Sequence, residues 1–338
     1  MEYEVAFIEG DGIGPEQAAA TREILTQVGR ALGTSLNLTI VEAGDRALKN
    51  LGEALPQNSL RAIEKSDCCL KGPVGQSAYD VIVRLRRELD LYANIRPAKS
   101  FPKVACISSQ TDLVIVRENT EDLYSGLETG DNQKATATRV ITRRACQRIA
   151  RYAFELARRR RREVIAIHKA NVMKKTDGLF LTVCREVSDS YPDVSFSDML
   201  VDAAAMNLIR NPQAFDVIVT TNMFGDILSD EAAQIVGGLG LVASANIGDH
   251  FALFEPVHGS APDIAGKNIA NPTSLILSAA MMLDWLGREK QDHDAAMAAL
   301  AIQMAVEDCL SRGEVTPDLG GRLGTREMGM AIAERISK

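Results

Sequence analysis

The chain has no CxxC pair and no cysteine–histidine spacing that would hold zinc, although it carries six cysteines: Cys68, Cys69, Cys106, Cys146, Cys184 and Cys309. Such thiols read as reduced and mostly buried, as in a cytoplasmic protein rather than a disulfide-stapled secreted one. No apolar run reaches the length needed to cross a bilayer. Met1-Glu-Tyr-Glu4 passes straight into a strand pattern, so no signal peptide and no membrane partner are expected. Excess positive charge is missing too. The 38 Lys and Arg against 45 Asp and Glu leave a net charge of −7, which argues against nucleic acid as the main partner. The one dense basic run, Arg158 to Arg162, ends an expected helix over 143–161, where cations complement the C-terminal dipole. Repeats, low-complexity tracts and Gly/Ser- or Pro-rich linkers are also absent, so any second domain is inserted rather than tethered.

What is present is ample chain for a large core or two domains, in short apolar runs alternating with longer helical patterns. Strands are expected over 5–8, 36–41, 68–70, 104–108, 113–117, 164–168, 195–199 and 217–220. Helices are expected over 16–32, 59–65, 81–89, 176–190, 203–211, 227–236, 272–286 and 292–310. The polar stretch 118–142 has few helix signals and suits an arm or a sheet that clasps a second subunit. The loop Gly10-Asp-Gly-Ile-Gly-Pro15 between the first strand and helix resembles a dinucleotide-binding turn. It lacks the full G-x-G-x-x-G spacing, and no acidic residue closes a βαβ unit behind it. Gly12 and Gly14 then serve a tight turn, with Pro15 opening the helix, and a Rossmann site is not expected.

Four clusters carry chemistry. Asp226 and Asp230, in Asn222-Met-Phe-Gly-Asp-Ile-Leu-Ser-Asp230, would share one face of a helix a turn apart. Two adjacent like charges make sense around a hard divalent cation such as Mg²⁺ or Mn²⁺, with Asp202 as a third oxygen ligand; alone, they are an ordinary solvated acidic pair. Arg86, Arg96 and Arg117 come from separate segments and suit a clamp on a di- or tricarboxylate, or surface ion pairs with Glu88, Asp90 or Glu118. Tyr124 suits a general acid if nearby cations lower its pKa, or a half-buried strand tyrosine. Lys169, at the end of an apolar strand, suits a base or an ordinary exposed lysine, while His168 beside it reads as structural.

Together the segments GDGIGPE, LYANIRPAK, RENTEDLYSGLE, HKANVMK, VDAAAMNL, NMFGDILSDE, FEPVHGSAPDIAGKNIANP and TPDLGG resemble the β-decarboxylating dehydrogenases essentially end to end. The resemblance implies a non-Rossmann, two-domain α/β fold with a central mixed sheet flanked by helices. Residues 1–98 plus 237–338 would form a large domain with the cofactor loop. Residues 99–236 would form a small domain with metal site, dimer interface and clasp arm. It implies a homodimer with shared active sites, and leaves open a tetramer of two such dimers. Arg86, Arg96 and Arg117 would bind carboxylates of a malate core. Asp226 and Asp230 would hold Mg²⁺ or Mn²⁺ with a neighbour's Asp202, and Lys169 would also come from the neighbour. Tyr124, Lys169 and Asp202 would be catalytic.

Asn171, His258, Gly259, Ser260, Asp263 and Asn271 would meet the cofactor. Asp263 stands where NAD-using members have an aspartate for the ribose hydroxyls, so NAD is expected. Isocitrate members resemble one another in polar groups where this chain has Asp80 and Ile82, and homoisocitrate members can place an arginine at Val83. Ile82 and Val83 here offer branched apolar surface, pointing to 3-isopropylmalate and hence leucine biosynthesis. RENTEDLYSGLE looks more like the isocitrate and homoisocitrate branch, and Arg84 is placed to swing toward a carboxylate, so those substrates stay open. A non-catalytic regulatory subunit is the remaining alternative; the retained Tyr124, Lys169, Asp202, Asp226 and Asp230 favour an enzyme.

Overall fold

A computed structural model of the protein describes residues 1–336. The final two positions of the expected 237–338 segment lie outside the described residues. Among the described residues twelve strands are present: β1 (Glu2–Ile8), β2 (Ser35–Ile40), β3 (Cys68–Lys71), β4 (Ala93–Lys99), β5 (Asp112–Glu118), β6 (Glu128–Gly130), β7 (Ala135–Ala137), β8 (Glu163–His168), β9 (Ser195–Leu200), β10 (Val217–Thr220), β11 (Ala243–Ile247) and β12 (Ala252–Pro256). Ten of them form one sheet in the order β2-β1-β3-β12-β11-β4-β5-β10-β8-β9.

Two parallel wings, β2-β1-β3-β12 and β5-β10-β8-β9, are joined by antiparallel pairings through β11 and β4. This is a mixed α/β sheet, not a doubly wound dinucleotide fold. The inner wing strands are buried on both faces, as Val217-Ile-Val-Thr220 shows with all four residues buried, while the outermost β2 and β9 are largely exposed. Helices cover both sides, and one apolar cluster runs from Phe7 and Val116 to Phe154, Leu283 and Trp285.

The expected wing strands are present, but the centre of the sheet was not foreseen. β4, β11 and β12 are new, as are the helices Asp45–Leu51 and Thr325–Ile336. The expected strand over 104–108 is absent. That segment runs as irregular chain after a left-handed Lys103, and the amides of Ile107 and Ser108 donate to the Ile235 carbonyl instead. Val104 packs on the core without joining the sheet, and Ile107 is left exposed. The helix expected over 227–236 starts earlier, spanning Asn222–Ile235. The one expected over 81–89 begins with a π-helical turn, Tyr79–Val83, followed by Arg84–Glu88.

The basic run is tied down: Arg158 pairs with Asp193, and Arg160 with Asp112 and Asp216. The polar stretch carries a small exposed hairpin of β6 and β7 that stands away from the main sheet. All six cysteines are free, and five are buried.

Candidate active site

β4 and β5 lie side by side at the centre of the sheet with Asn94 opposite Arg117, so Asn94, Arg96 and Arg117 project from one face. The helix Asn222–Ile235 lies against that face. Starting at Asn222, it does place Asp226 and Asp230 one turn apart. Arg117, only 1% exposed, bonds Asn222 Oδ1 through Nε (2.9 Å) and pairs with Asp226 through a guanidinium nitrogen. Its stem lies against Gly225, where a Cβ would come within 2.6 Å of it. A glycine inside a helix costs about 1 kcal/mol, but here it lets the buried arginine pass.

Arg96 donates to Ser229 Oγ (2.6 Å) and Asn94 Oδ1 (2.8 Å), and lies 3.3 Å from Asp230 and 3.4 Å from Asp226. Tyr124, in a short turn after β5, donates its hydroxyl to Asp226 Oδ2 at 2.5 Å, and the Arg117 guanidinium lies 5.1 Å from its ring centre. None of the three arginines pairs with Glu88, Asp90 or Glu118. Those acids are held by Arg84, by Arg148, and by the 120–121 turn.

The electrostatics separate the two carboxylates. Burial lifts Asp226, but Arg117 and Arg96 outweigh it and hold the group below the usual carboxylate range. Burial raises Asp230, and the Asp226 charge adds to the rise against the pull of Arg96. A cation between them would relieve that repulsion, and their oxygen donors fit Mg²⁺ or Mn²⁺. The expectation that cations lower the Tyr124 pKa is corrected. Burial and the hydrogen bond to Asp226 raise it, and Arg117 only partly opposes them.

A second layer holds the arginines. Buried Arg86 donates to Asn246 Oδ1 (3.0 Å) and lies 3.4 Å from Glu255, which also pairs with buried Lys71 at 2.8 Å. Asn246 donates to Glu255, while Asn94 and Asn119 both donate to Asn246. Burial lowers the Arg86 pKa to about 10. Burial would raise Glu255, yet Lys71 and Arg86 together hold it at about 2, against an ordinary 4.5. The depressed carboxylate therefore contributes stability in full above pH 4.5 and loses it as pH falls toward 2. Urea midpoints of the protein and of Glu255→Gln, followed from about pH 6 to about pH 2.5, should converge as the pH falls. A constant gap between them would show that Glu255 does not titrate in this window.

Ile82 and Val83 are half-buried on the π-helical turn. Val83 lines a depression of about 580 Å³ with Leu55, Tyr79, Asp80, Arg84 and Arg87. Arg84 does not point to a free carboxylate position. It donates to the Leu55 carbonyl (2.9 Å) and Gln57 (3.0 Å), and Arg87 donates to the Tyr124 carbonyl (2.7 Å).

Lys169 and Asp202 stand apart from this centre. Lys169 Nζ bonds Asp202 Oδ1 at 2.6 Å and depresses the carboxylate. Among the described residues of one chain, no three acidic, histidine or cysteine groups converge on a metal position, so Asp202 is not brought to Asp226 and Asp230. Asp202 instead shares a face of the helix Val201–Arg210 with exposed Met206 and Ile209. Asn171 is exposed in the turn after Lys169. His168 is structural, accepting from the Ala170 amide and facing Asp198 at 3.2 Å.

The GDGIGPE loop serves turns and junctions. Asp11 accepts the amides of Asp45, Arg46 and Gly75. Gly12, at φ +57°, lets the loop approach so closely that a Cβ would fall 1.9 Å from the Ser260 carbonyl. Gly259 and Ser260 thus lie beside this loop, with Asp263 exposed in the following turn. His258 contacts Gln17 Nε2 at 3.2 Å, and burial lowers its pKa, favouring a neutral ring. Asn271 donates to Asp318 and accepts the Thr273 amide, while its carbonyl accepts from Gln17. The buried Oε1 of Gln17 has no partner. An exposed carboxylate beside a glycine turn and a neutral imidazole fits the hydroxyls and rings of a dinucleotide.

The sequence reading missed Asn94, Asn246, Ser229, Lys71 and Glu255. Asn94, Ser229 and Glu255 sit inside three of the quoted motifs, where a polar residue beside apolar neighbours was the available signal. Asn246 gave none.

A buried arginine cage faces a carboxylate pair at the centre of a mixed, two-winged α/β sheet, an arrangement suited to a polycarboxylate beside a divalent cation. The sequence pattern of isocitrate/isopropylmalate dehydrogenases matches residues 4–332, and the chain belongs to that family. It is 52% identical to the 3-isopropylmalate dehydrogenase of Archaeoglobus fulgidus, over 98% of this chain and 99% of that one. It is 48% identical to the homoisocitrate dehydrogenase of Methanocaldococcus jannaschii, over 99% and 98%. The crystal structure of isocitrate dehydrogenase from Methylococcus capsulatus superposes with a TM-score of 0.91 at 45% identity, covering 99% of this chain and all of that one. Among the described residues, no helix is long and apolar enough to cross a membrane.

Proposed function

We propose that the protein is an NAD- and Mg²⁺- or Mn²⁺-dependent decarboxylating dehydrogenase acting on 3-isopropylmalate, as leucine biosynthesis requires. The observation that carries the reading is the cage of Arg86, Arg96 and Arg117 facing Asp226, Asp230 and Tyr124. Higher identity to 3-isopropylmalate dehydrogenases than to homoisocitrate dehydrogenase supports this substrate. So do half-buried Ile82 and Val83, and the engagement of Arg84 and Arg87 elsewhere.

In this reading residues 1–98 plus 237–338 and residues 99–236 form two domains that close on the substrate. The exposed apolar residues Met206, Ile209, Ile227 and Val172 support a homodimer, with the exposed hairpin as its clasp. Asp202 lies on the same face and would reach the metal position of the partner.

When bound, a divalent cation supplies a Lewis acid for the C2 oxygen and the nicotinamide a hydride acceptor. The protein does the rest. Arg86, Arg96 and Arg117 grip the malate carboxylates in bidentate geometry and fix C2 and C3. The partner subunit's Lys169 accepts the C2 hydroxyl proton. Once CO₂ leaves, Tyr124 delivers a proton to the vacated carbon, and its raised pKa keeps it protonated until then.

The test is kcat/KM for 3-isopropylmalate, isocitrate, homoisocitrate and D-malate, each with NAD⁺ and NADP⁺. Burying the isopropyl group on Ile82 and Val83 is worth about 2 kcal/mol, so 3-isopropylmalate should lead D-malate by about thirtyfold. A lead for isocitrate would reject the substrate assignment, and preference for NADP⁺ would reject the role of Asp263.

A further inference from the structure

Arg139 lies in the polar stretch just past the hairpin, and its guanidinium sits at the junction of three functional segments. Its Nε and one Nη hold both oxygens of Asp122 at 2.5 and 3.1 Å. The same Nη donates to Thr221 Oγ1 at 2.7 Å, and the other pairs with Asp177. Its plane lies 5.2 Å from the Phe224 ring centre. Asp122 and Asp177 are both completely buried, and only a fork geometry satisfies two carboxylates and a hydroxyl at once.

Each contact leads to a different part of the machinery. Asp122, itself left-handed at φ +74°, accepts the Leu123 amide at 2.8 Å and so sets the turn that aims Tyr124. Its other oxygen accepts the Met223 amide at 3.2 Å, anchoring the first turn of the helix that carries Asp226 and Asp230. Asp177 accepts the Lys169 amide at 2.5 Å, fixing where the lysine leaves its strand. We propose that Arg139 is a positioning residue that locks the proton donor Tyr124, the acidic helix and the proton acceptor Lys169 to one another. Under the shared-site reading above, on which this inference rests, Tyr124 and Lys169 of one chain serve different active sites. Arg139 then couples the two sites of the dimer through a single rigid junction.

Arg139→Lys keeps the charge and loses the fork. Displacement of reacting groups by about 1 Å costs on the order of a hundredfold. The variant should lose that much kcat in oxidation of the hydroxy acid, and also in decarboxylation of the keto acid supplied directly, with KM little changed. A purely structural residue would instead lower Tm and leave kcat per folded molecule intact, which would overturn the proposal. Thr221→Val removes one arm of the fork without opening the junction, and should lower both steps by about fivefold if Arg139→Lys fails to fold; unchanged rates there would also overturn it.

Mixed dimers with one wild-type and one Arg139→Lys chain distinguish this inference from its foundation. Each site then holds one misplaced element, so activity should fall well below half. Activity at half would confine Arg139 to one site and reject the coupling. A fully active wild-type monomer in sedimentation and assay would reject the shared-site reading instead.

Discussion

Replacing Asp226 by asparagine should lower kcat/KM by roughly a thousandfold, about 4 kcal/mol, and abolish the rise in Tm that Mg²⁺ or Mn²⁺ gives the wild-type protein. Among the described residues Asp226 is the carboxylate that meets Arg96, Arg117 and Tyr124 together, so it orders the cage and would offer a charged oxygen to the cation. Without metal, Asp226→Asn also loses stability, because two buried guanidiniums are left without their shared counter-charge. The Asp226 side chain is 37% exposed, so solvent screening limits that loss to about 1–2 kcal/mol. Asp230→Asn should behave oppositely in the metal-free protein. Its carboxylate is held above its ordinary pKa by burial and by Asp226, so neutralising it relieves repulsion and leaves Tm level or higher. Both variants should nonetheless fail to respond to metal. Thermal melts with and without about a hundredfold excess of Mg²⁺ over Kd read the effect directly, since such an excess stabilises a binding-competent protein by about 2.7 kcal/mol. A metal-dependent shift that survives in Asp226→Asn would remove this helix from the metal site.

The strands that could be read from sequence are those built on an unbroken apolar run. β1, β5 and β10 are apolar runs because they are buried on both faces, and they came out where the pattern put them. β4, β11 and β12 were invisible for the opposite reason. They carry Asn94, Arg96, Asn246 and Glu255, and those polar side chains, with Pro97, break the hydrophobic signature that marks a strand. Pro97 is tolerated because it lies beyond the last pairing of β4 with β11. The segment 104–108 shows the converse error, an apolar run that pairs with no strand and leaves Ile107 exposed.

At the site, the spacing of Asp226 and Asp230 and the three arginines were legible as residue types in motifs. What they touch was not: the Tyr124 pKa is governed by burial and Asp226 rather than by the arginine above its ring, a matter of distance that no linear pattern encodes. Arg139 was hidden for a related reason. Its carboxylate partners lie 17 and 38 residues away, in segments read separately.

Mixing two inactive variants should restore activity if each site draws on both chains. Tyr124→Phe and Lys169→Met homodimers each lack an essential proton-transfer group at both sites, and each should fall by about 10²–10⁴-fold. In a mixed dimer, one site pairs the substituted position 124 of one chain with the substituted position 169 of the other, so it carries both lesions. The second site receives an intact Tyr124 and an intact Lys169. Random re-pairing makes half of the dimers mixed, each with one working site of two, so the mixture should recover about a quarter of wild-type activity. The single chain favours this outcome on geometric grounds: Lys169 is bonded to exposed Asp202 beside Met206 and Ile209, while Tyr124 is bonded to Asp226 in the arginine cage. Recovery requires subunit exchange, so dimers dissociated in mild denaturant and re-formed together are compared with each variant treated alone. If the mixture stays at the level of its parents while native mass spectrometry detects mixed dimers, Lys169 works in the same chain as Tyr124, and the division of labour between subunits is wrong.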